Sequence, residues 1–388
     1  MRLQMILPRV DPDQIPTPPV CPHSDCTSTH LRLHQRVAKR LVDSHYEQVV
    51  ARRYRCLGCG RTFRVYPLGV DHYPTSQRTR GLGVMLYLLG LSYGATSLVL
   101  EALGAYQAKS SVYEAVQAAA ERVPGLCQGV FFSGVRTAAL GADLTSVRCN
   151  GQWLPLGLVV DDVAGTVLSI DLLEGEDAQV LLSWITPFAE AVGAELLVSD
   201  DADAFKTVAD ALDLDHQVCK AHVERNTTEL VTQMLGVLAQ GDDGSLAATG
   251  VTSQQAAADL EELLTLVRAR RPEDEERLET LHLHYKTAGA PNPGESATLA
   301  YRLRMLTLDR WELWRRLTCY RTWRGPAGER VDGTNNACER AIGWWVKERY
   351  RTMRGYKRQQ SMLNVSRLIA YCGNRLEAGG VDLARLVA

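Results

Sequence analysis

The segment Asp-Gly-Thr-Asn-Asn-Ala-Cys-Glu-Arg-Ala-Ile-Gly, residues 332–343, sets two amides, Asn335 and Asn336, and one carboxylate, Glu339, at the mouth of an apolar run that continues into Trp344 and Trp345. Read locally it is a helix start. Thr334 or Asn335 can accept from the first free backbone N–H groups, and an acid in the first turn suits the positive end of the dipole. Two cysteine pairs, Cys21 with Cys26 and Cys56 with Cys59, form a second set of chemistry-bearing residues. A Cys-x2-Cys turn supplies two thiolates at the separation that tetrahedral Zn²⁺ needs. The first pair is looser, and His23 or His72 could replace one of its thiolates. A third set is acidic: Asp143 in Gly-Ala-Asp-Leu-Thr, and Asp200 at the end of Leu-Leu-Val-Ser, with Asp201, Asp203, Asp161 and Asp162 as alternatives that also read as turn formers. Carboxylates gathered in one place repel one another unless a cation neutralises them, and hard oxygen ligands with room for water call for Mg²⁺ or Mn²⁺.

The elements that must position these groups follow from the pattern of the chain. With 388 residues and a net charge of −2, it has apolar content for real cores but no overall charge that announces a polyanion partner. Its distribution of charge is more informative. Basic residues crowd the stretch from Arg32 to Arg64 and again Lys347, Arg349, Arg351, Arg354, Lys357 and Arg358, as suits a polyanion that touches particular faces. No stretch reads as a membrane span or a secretory leader, so the expectation is a cytoplasmic protein, in a bacterial cell one associated with the nucleoid. In such a reducing compartment paired cysteines favour metal ligation over disulfides.

Between the cysteine pairs, Thr-His-Leu-Arg-Leu-His-Gln-Arg-Val and Glu-Gln-Val-Val-Ala-Arg-Arg-Tyr-Arg-Cys alternate as strands do, which makes residues 1–70 a zinc-ribbon module holding one structural Zn²⁺ through Cys21, Cys26, Cys56 and Cys59. Residues 71–130 read as short helices separated by Gly-containing turns, consistent with a helix-turn-helix that binds DNA. From residue 136 the period changes. Three β-rich runs are joined by hairpin signals at Asn150-Gly151 and at 161–165; a helix, a short buried strand (Ala-Glu-Leu-Leu-Val-Ser-Asp), a second helix and a strand His-Gln-Val-Cys-Lys-Ala-His-Val follow. That order describes an α/β fold with an RNase H-like mixed sheet. Its first part covers 131–225, an all-helical insertion covers 226–327, and residues 328–388 return to the core. Strands one and four of such a sheet are neighbours, so Asp143 and Asp200 point into one cleft, and a returning helix brings Glu339 to it.

Gly-Ala-Asp-Leu-Thr-Ser-Val, Leu-Leu-Val-Ser-Asp-Asp-Ala-Asp-Ala-Phe-Lys-Thr-Val, His-Gln-Val-Cys-Lys-Ala-His-Val-Glu-Arg-Asn and Asp-Gly-Thr-Asn-Asn-Ala-Cys-Glu-Arg-Ala-Ile-Gly together resemble the DDE transposases of bacterial insertion sequences, and more distantly the Mutator-like group. The match covers roughly 135–225 and 328–375. The resemblance implies a metal-binding triad of Asp143, Asp200 and Glu339 holding two Mg²⁺ or Mn²⁺ ions. It also implies supporting roles for Cys219 and His222 (a Cys-x-x-His motif) and for Asn335, Asn336 and Arg340 (Asn-Asn-x-x-Glu-Arg). The implied activity is cleavage of double-stranded DNA at the element's terminal repeats and transfer of the 3′-OH to target DNA, by a homodimer or larger assembly. One departure stands out: a Gly often follows the second Asp in that family, where this chain has Asp201. Two other functions share the features: a regulator of the same ancestry that binds DNA without cutting it, and an RNase H-like nuclease or resolvase.

Overall fold

The computed structural model of the chain describes residues 5–130, 136–241, 244–347, 356–377 and 380–388. After a short β1 (Met5–Ile6), β2 (Leu31–Arg40), β3 (Gln48–Cys56) and β4 (Thr62–Val65) form an antiparallel sheet in that order. Alternation shows best in β3, where Val49, Ala51 and Tyr54 are buried and Val50 faces out. Beneath this sheet the apolar cluster is small: Val10, Leu41, Val49 and Val70, with Tyr46 and Tyr66 against them.

Three helices follow: α1 (Gln77–Leu88), α2 (Tyr93–Ala102) and α3 (Lys109–Val130). Serine hydroxyls start the first two, with Ser76 accepting from Thr79 N–H and Ser92 from Ala95 N–H. The helices do not stand apart. Val84 and Tyr87 of α1 and Val116 and Val123 of α3 belong to the same apolar core as the central sheet.

That sheet comprises β5 (Ala139–Cys149), β6 (Gln152–Asp161), β7 (Val167–Leu172), then, with α4 (Ala178–Val192) and α5 (Asp203–Ala211) interposed, β8 (Leu196–Ser199) and β9 (Asp215–Val218). Its strand order is β7-β6-β5-β8-β9. The first two pairings are antiparallel and the last two parallel. The β5–β6 turn works because Asn150 and Gly151 both take positive φ, 49° and 84°. All of β8 is buried, its three apolar residues and Ser199 alike, as a strand between two covered faces must be.

One boundary differs from the sequence reading, which runs the last strand through Val223. The strand stops at Val218, and Cys219 becomes the N-cap residue of α6 (Lys220–Gln240). The reason lies in the hydrogen bonds. Cys219 N–H still reaches Ser199 O at 2.8 Å, but Lys220 N–H turns away to Gly333 O at 2.9 Å, which ends the ladder.

From α6 the chain continues through α7 (Ser253–Ala269), α8 (Glu275–Tyr285), α9 (Leu299–Glu312) and α10 (Trp314–Thr322). This helical run has its own core, including Leu260, Leu263, Tyr285, Leu303 and the fully buried Trp314. The chain then returns as α11 (Asn336–Ala341), which runs into a π-helical turn over Ile342–Lys347. Helix α12 (Gln359–Glu377) packs on β7, where Asn374 accepts from Val167 N–H at 2.9 Å and donates to Val167 O at 2.7 Å. Finally β10 (Val381–Asp382) pairs in parallel with β1, ahead of α13 (Ala384–Val387). Among the described residues no helix is long and apolar enough to cross a membrane.

Candidate active site and metal centre

Side chains alternate across a strand, so Gly141 and Asp143 share one face of β5 and Leu144 takes the other. Helix α11 lies on the Gly141 face. A Cβ built on Gly141 would stand 2.7 Å from Val160 Cγ2 and 3.0 Å from Cys338 Sγ, so the absence of a side chain lets α11 approach the strand two residues before Asp143. On the opposite face Gly157, the partner of Leu144, admits the ring of Trp184 from α4. Gly141→Ala is therefore expected to destabilise the chain by about 1–3 kcal/mol through overpacking against Val160 and Cys338. Urea denaturation checks it, and an unchanged midpoint would show that the contact is not tight.

Strand β8 supplies the second acid. Gly141 pairs in parallel with Val198, and projecting that register by two residues sets Asp200 beside Asp143. Asp143 is mostly buried, and its carboxyl is pushed up to about 7 by burial first, and then by the charges of Asp200 and Glu339; Lys347 opposes the shift. Among the described residues only Leu144 N–H donates to it, at 2.8 Å. Two acids remote in sequence, Asp200 and Glu339, thus bear on the carboxyl of Asp143. A cleft of about 400 Å³, lined by Asp200, Leu144, Thr145, Ser146, Glu176 and Phe205 among others, opens beside Asp200. Asp201 is engaged elsewhere: its carboxylate pairs with Lys206 at 2.9 Å and lies 3.9 Å from Arg310. Asp203 also pairs with Lys206, at 2.9 Å, and is otherwise exposed.

Asn335 does not act as the side-chain cap that the local sequence reading allows. It occupies the N-cap position of α11 without a capping hydrogen bond, is fully buried, and donates through Nδ2 to Ala142 O at 3.3 Å. Its own N–H points to Cys219 Sγ at 3.4 Å. The amide therefore ties α11 to β5 next to Asp143 and to the start of α6. Lys220 reinforces the tie: its ammonium bonds Asp332 O and sits 4.8 Å over the Tyr320 ring. His222, one turn into α6, brings Nε2 to 3.4 Å from Glu339 Oε1. Asn336 and Arg340 are exposed, and Arg340 Nε donates to Asn336 O at 3.2 Å.

Lys347 and Lys357 are exposed, whereas Arg349, Arg351 and Arg354 lie outside the described residues. Of the tryptophans, Trp314 and Trp323 are buried packing residues. One acidic grouping escaped the sequence reading, which noted Asp162 but treated Asp332 only as part of a motif. Asp162, Asp332, Arg330 and Arg340 line a second, smaller cleft of about 200 Å³, to which Asn336 and Ala337 of α11 also contribute. Burial, and then Asp332 and Asp161, raise the Asp162 carboxyl to about 7, and its Oδ1 is buried without a hydrogen-bond partner.

The folded chain thus holds a proton on Asp162 that the unfolded chain, with a carboxyl near 4, releases earlier. The contribution of this group to stability is full below about pH 4 and falls as pH rises toward 7. Asp162→Asn removes that loss. It is expected to gain on the order of 1–3 kcal/mol over wild type at pH 8 and nothing at pH 4, in urea denaturation at the two pH values. An equal effect at both would contradict the assignment.

The other site is built of sulfur. Cys21, Cys26, Cys56 and Cys59 bring their Sγ atoms within 4.8 Å of one another, a cluster that could hold a metal ion and is compatible with a structural zinc. Cys21 lies 3.8 Å from Cys59 and Cys26 lies 3.7 Å from Cys56. A ZnS₄ tetrahedron with bonds of about 2.3 Å has edges of about 3.8 Å, so the sulfurs already stand at ligand spacing. Without an ion the thiols are pushed apart in acidity: the Cys59 backbone N–H, and then that of Gly58, lower the Cys56 thiol to about 6, while burial raises that of Cys21 to about 12. Neither histidine joins the cluster: His72 packs at a tilt against Tyr73 and His23 packs edge-on to Phe63. No protein-family model matches the chain, and no curated protein matches it.

Proposed function

We propose that the chain is a DDE-type transposase of the insertion-sequence kind: an RNase H-like sheet interrupted by a helical insertion and preceded by a zinc ribbon and a helix-turn-helix. One arrangement carries the reading: the β5–β8 register sets Asp200 beside Asp143, and α11, which carries Glu339, packs on Gly141 of the same strand. A strand order of β7-β6-β5-β8-β9, antiparallel and then parallel, supports the RNase H-like assignment. Asp143, Asp200 and Glu339 would hold two Mg²⁺ or Mn²⁺ ions; such ions activate an attacking oxygen and stabilise the leaving 3′-oxygen in phosphoryl transfer. Neighbouring acids, one of them pushed up by burial and then by the charge of the others, are a donor set that a divalent cation would relieve.

The rest is the work of the chain's own residues. Asn335 and Lys220 hold the Glu339 helix against the sheet. Lys347 brings positive charge toward Asp143, and with Lys357 it offers a phosphate backbone salt-sensitive, sequence-independent attraction. Exposed Arg32, Arg36 and Arg40 on β2 would serve binding of the terminal repeats. Double-stranded DNA is the partner, first at the element's ends and then at the target, with two or more copies of the chain pairing the ends. The test is a supercoiled plasmid carrying the inverted repeats that flank the gene, incubated with the chain and Mg²⁺. Nicking at the repeat ends and joined products are expected. Binding without cleavage would favour the regulator, and cleavage of branched DNA without regard to the repeats would favour the resolvase.

A further inference from the structure

Phosphoryl transfer by three carboxylates has no need of a thiol, yet Cys219 Sγ, a His222 ring nitrogen and a Glu339 carboxylate oxygen lie within 4.8 Å of one another. We propose that these three side chains form a site for a soft divalent ion such as Zn²⁺, and that this ion competes with the hard-cation cluster for Glu339. That competition matters to catalysis only under the transposase reading; the site itself does not depend on it.

The donor set argues for the ion's class. Thiolate, imidazole and carboxylate together are the ligands of zinc and its neighbours, and a thiolate is a poor partner for Mg²⁺. Cys219 and His222 stand one helical turn apart at the start of α6, so both face the same side. The sulfur is buried and already accepts the Asn335 N–H, the kind of outer support that ligating thiolates use. The imidazole is unsatisfied: Nδ1 is buried without a hydrogen-bond partner, and Nε2 stands 3.4 Å from Glu339, too far for a good hydrogen bond. Two anionic ligands and a neutral imidazole give a neutral complex with a divalent ion, with a fourth position left for water. A carboxylate oxygen held by a soft ion is withdrawn from a hard one, so zinc at this site would compete with the function assigned to Glu339.

The test uses the full chain with zinc already in the four-cysteine cluster, titrated with Co²⁺. A second equivalent is expected, with the near-ultraviolet absorption of a cobalt–thiolate bond and the visible bands of a four-coordinate ion. Cys219→Ser removes the new thiolate band, and His222→Ala weakens binding, which covers the case in which the serine variant fails to fold. Glu339→Gln raises the Co²⁺ dissociation constant by about tenfold or more, while Asp143→Asn leaves it unchanged. Titration that stops without a second equivalent, a thiolate band that survives Cys219→Ser, or binding indifferent to Glu339→Gln would each overturn the site. None of these readouts needs DNA or turnover. Cobalt bound here by a chain that cuts no plasmid would uphold the site and remove the transposase; plasmid cleavage without the second equivalent would do the reverse.

Discussion

Glu339→Gln is expected to lower plasmid strand cleavage by about three orders of magnitude or more, equivalent to about 4 kcal/mol of barrier, with binding to the element's ends unchanged. The substitution keeps the shape of the side chain and an oxygen to face His222, but it removes the charge that bears on Asp143. Asp143→Asn and Asp200→Asn should fail as completely. Asp143→Asn carries a second signature, because burial and like charge strain the native carboxylate: without metal at neutral pH, the variant should be more stable than wild type. A merely structural Asp143 would show the loss of activity and stability together. Asp201→Asn should be far milder for cleavage, because that acid serves the Lys206 and Arg310 contacts. If Asp201→Asn stops cleavage and Asp200→Asn spares it, the triad is wrong by one residue.

The second large effect belongs to the sulfur cluster. Purified protein should carry at least one tightly held Zn²⁺ per chain, and Cys56→Ser or Cys59→Ser should melt β2 to β4 while the five-stranded sheet stays folded. The small core under β2 to β4, four buried aliphatic side chains, cannot replace a structural zinc, which contributes about 10–16 kcal/mol in small zinc modules. Hydrogen exchange reads the two regions separately. Strand protection that survives in both serine variants, or protein purified free of zinc, would refute the assignment. A melt that spreads into α1 would trace the link through buried Asp43, which accepts from Ser76 Oγ at 2.6 Å and pairs with Arg78.

Much of the sheet was legible from period and turn chemistry. Asn150-Gly151 marks its hairpin, Leu196–Ser199 reads as a buried strand, and Asp143 and Asp200 fall where strand order predicts. What the sequence concealed is long-range. Nothing local shows that Lys220 N–H will choose Gly333 O over the next ladder rung, so Cys219 and His222 were read as strand residues when they start a helix. Likewise Asn335 looks like a cap by type and spacing, and only the fold reveals that its amide reaches Ala142 on a strand far back in the chain. The bond of Asp201 to Lys206 explains an acid where glycine is common in the resembled family, and helical spacing alone did not announce it.

The hydrogen bond between Lys220 and Gly333 has a consequence for how this chain can vary. The helical run departs from the sheet and returns to it at practically one point. For the sheet, it is a closed loop whose mouth is already stitched. Loop-closure entropy rises only with the logarithm of length, so lengthening or trimming the far helices costs the five-stranded sheet little. The stitch also works in the other direction. Any partner that twists the helical run against the sheet strains the same knot that holds Asn335, and through it the angle at which Glu339 meets the other acids. The run can therefore change freely in size, but a torque applied to it would be felt at the site.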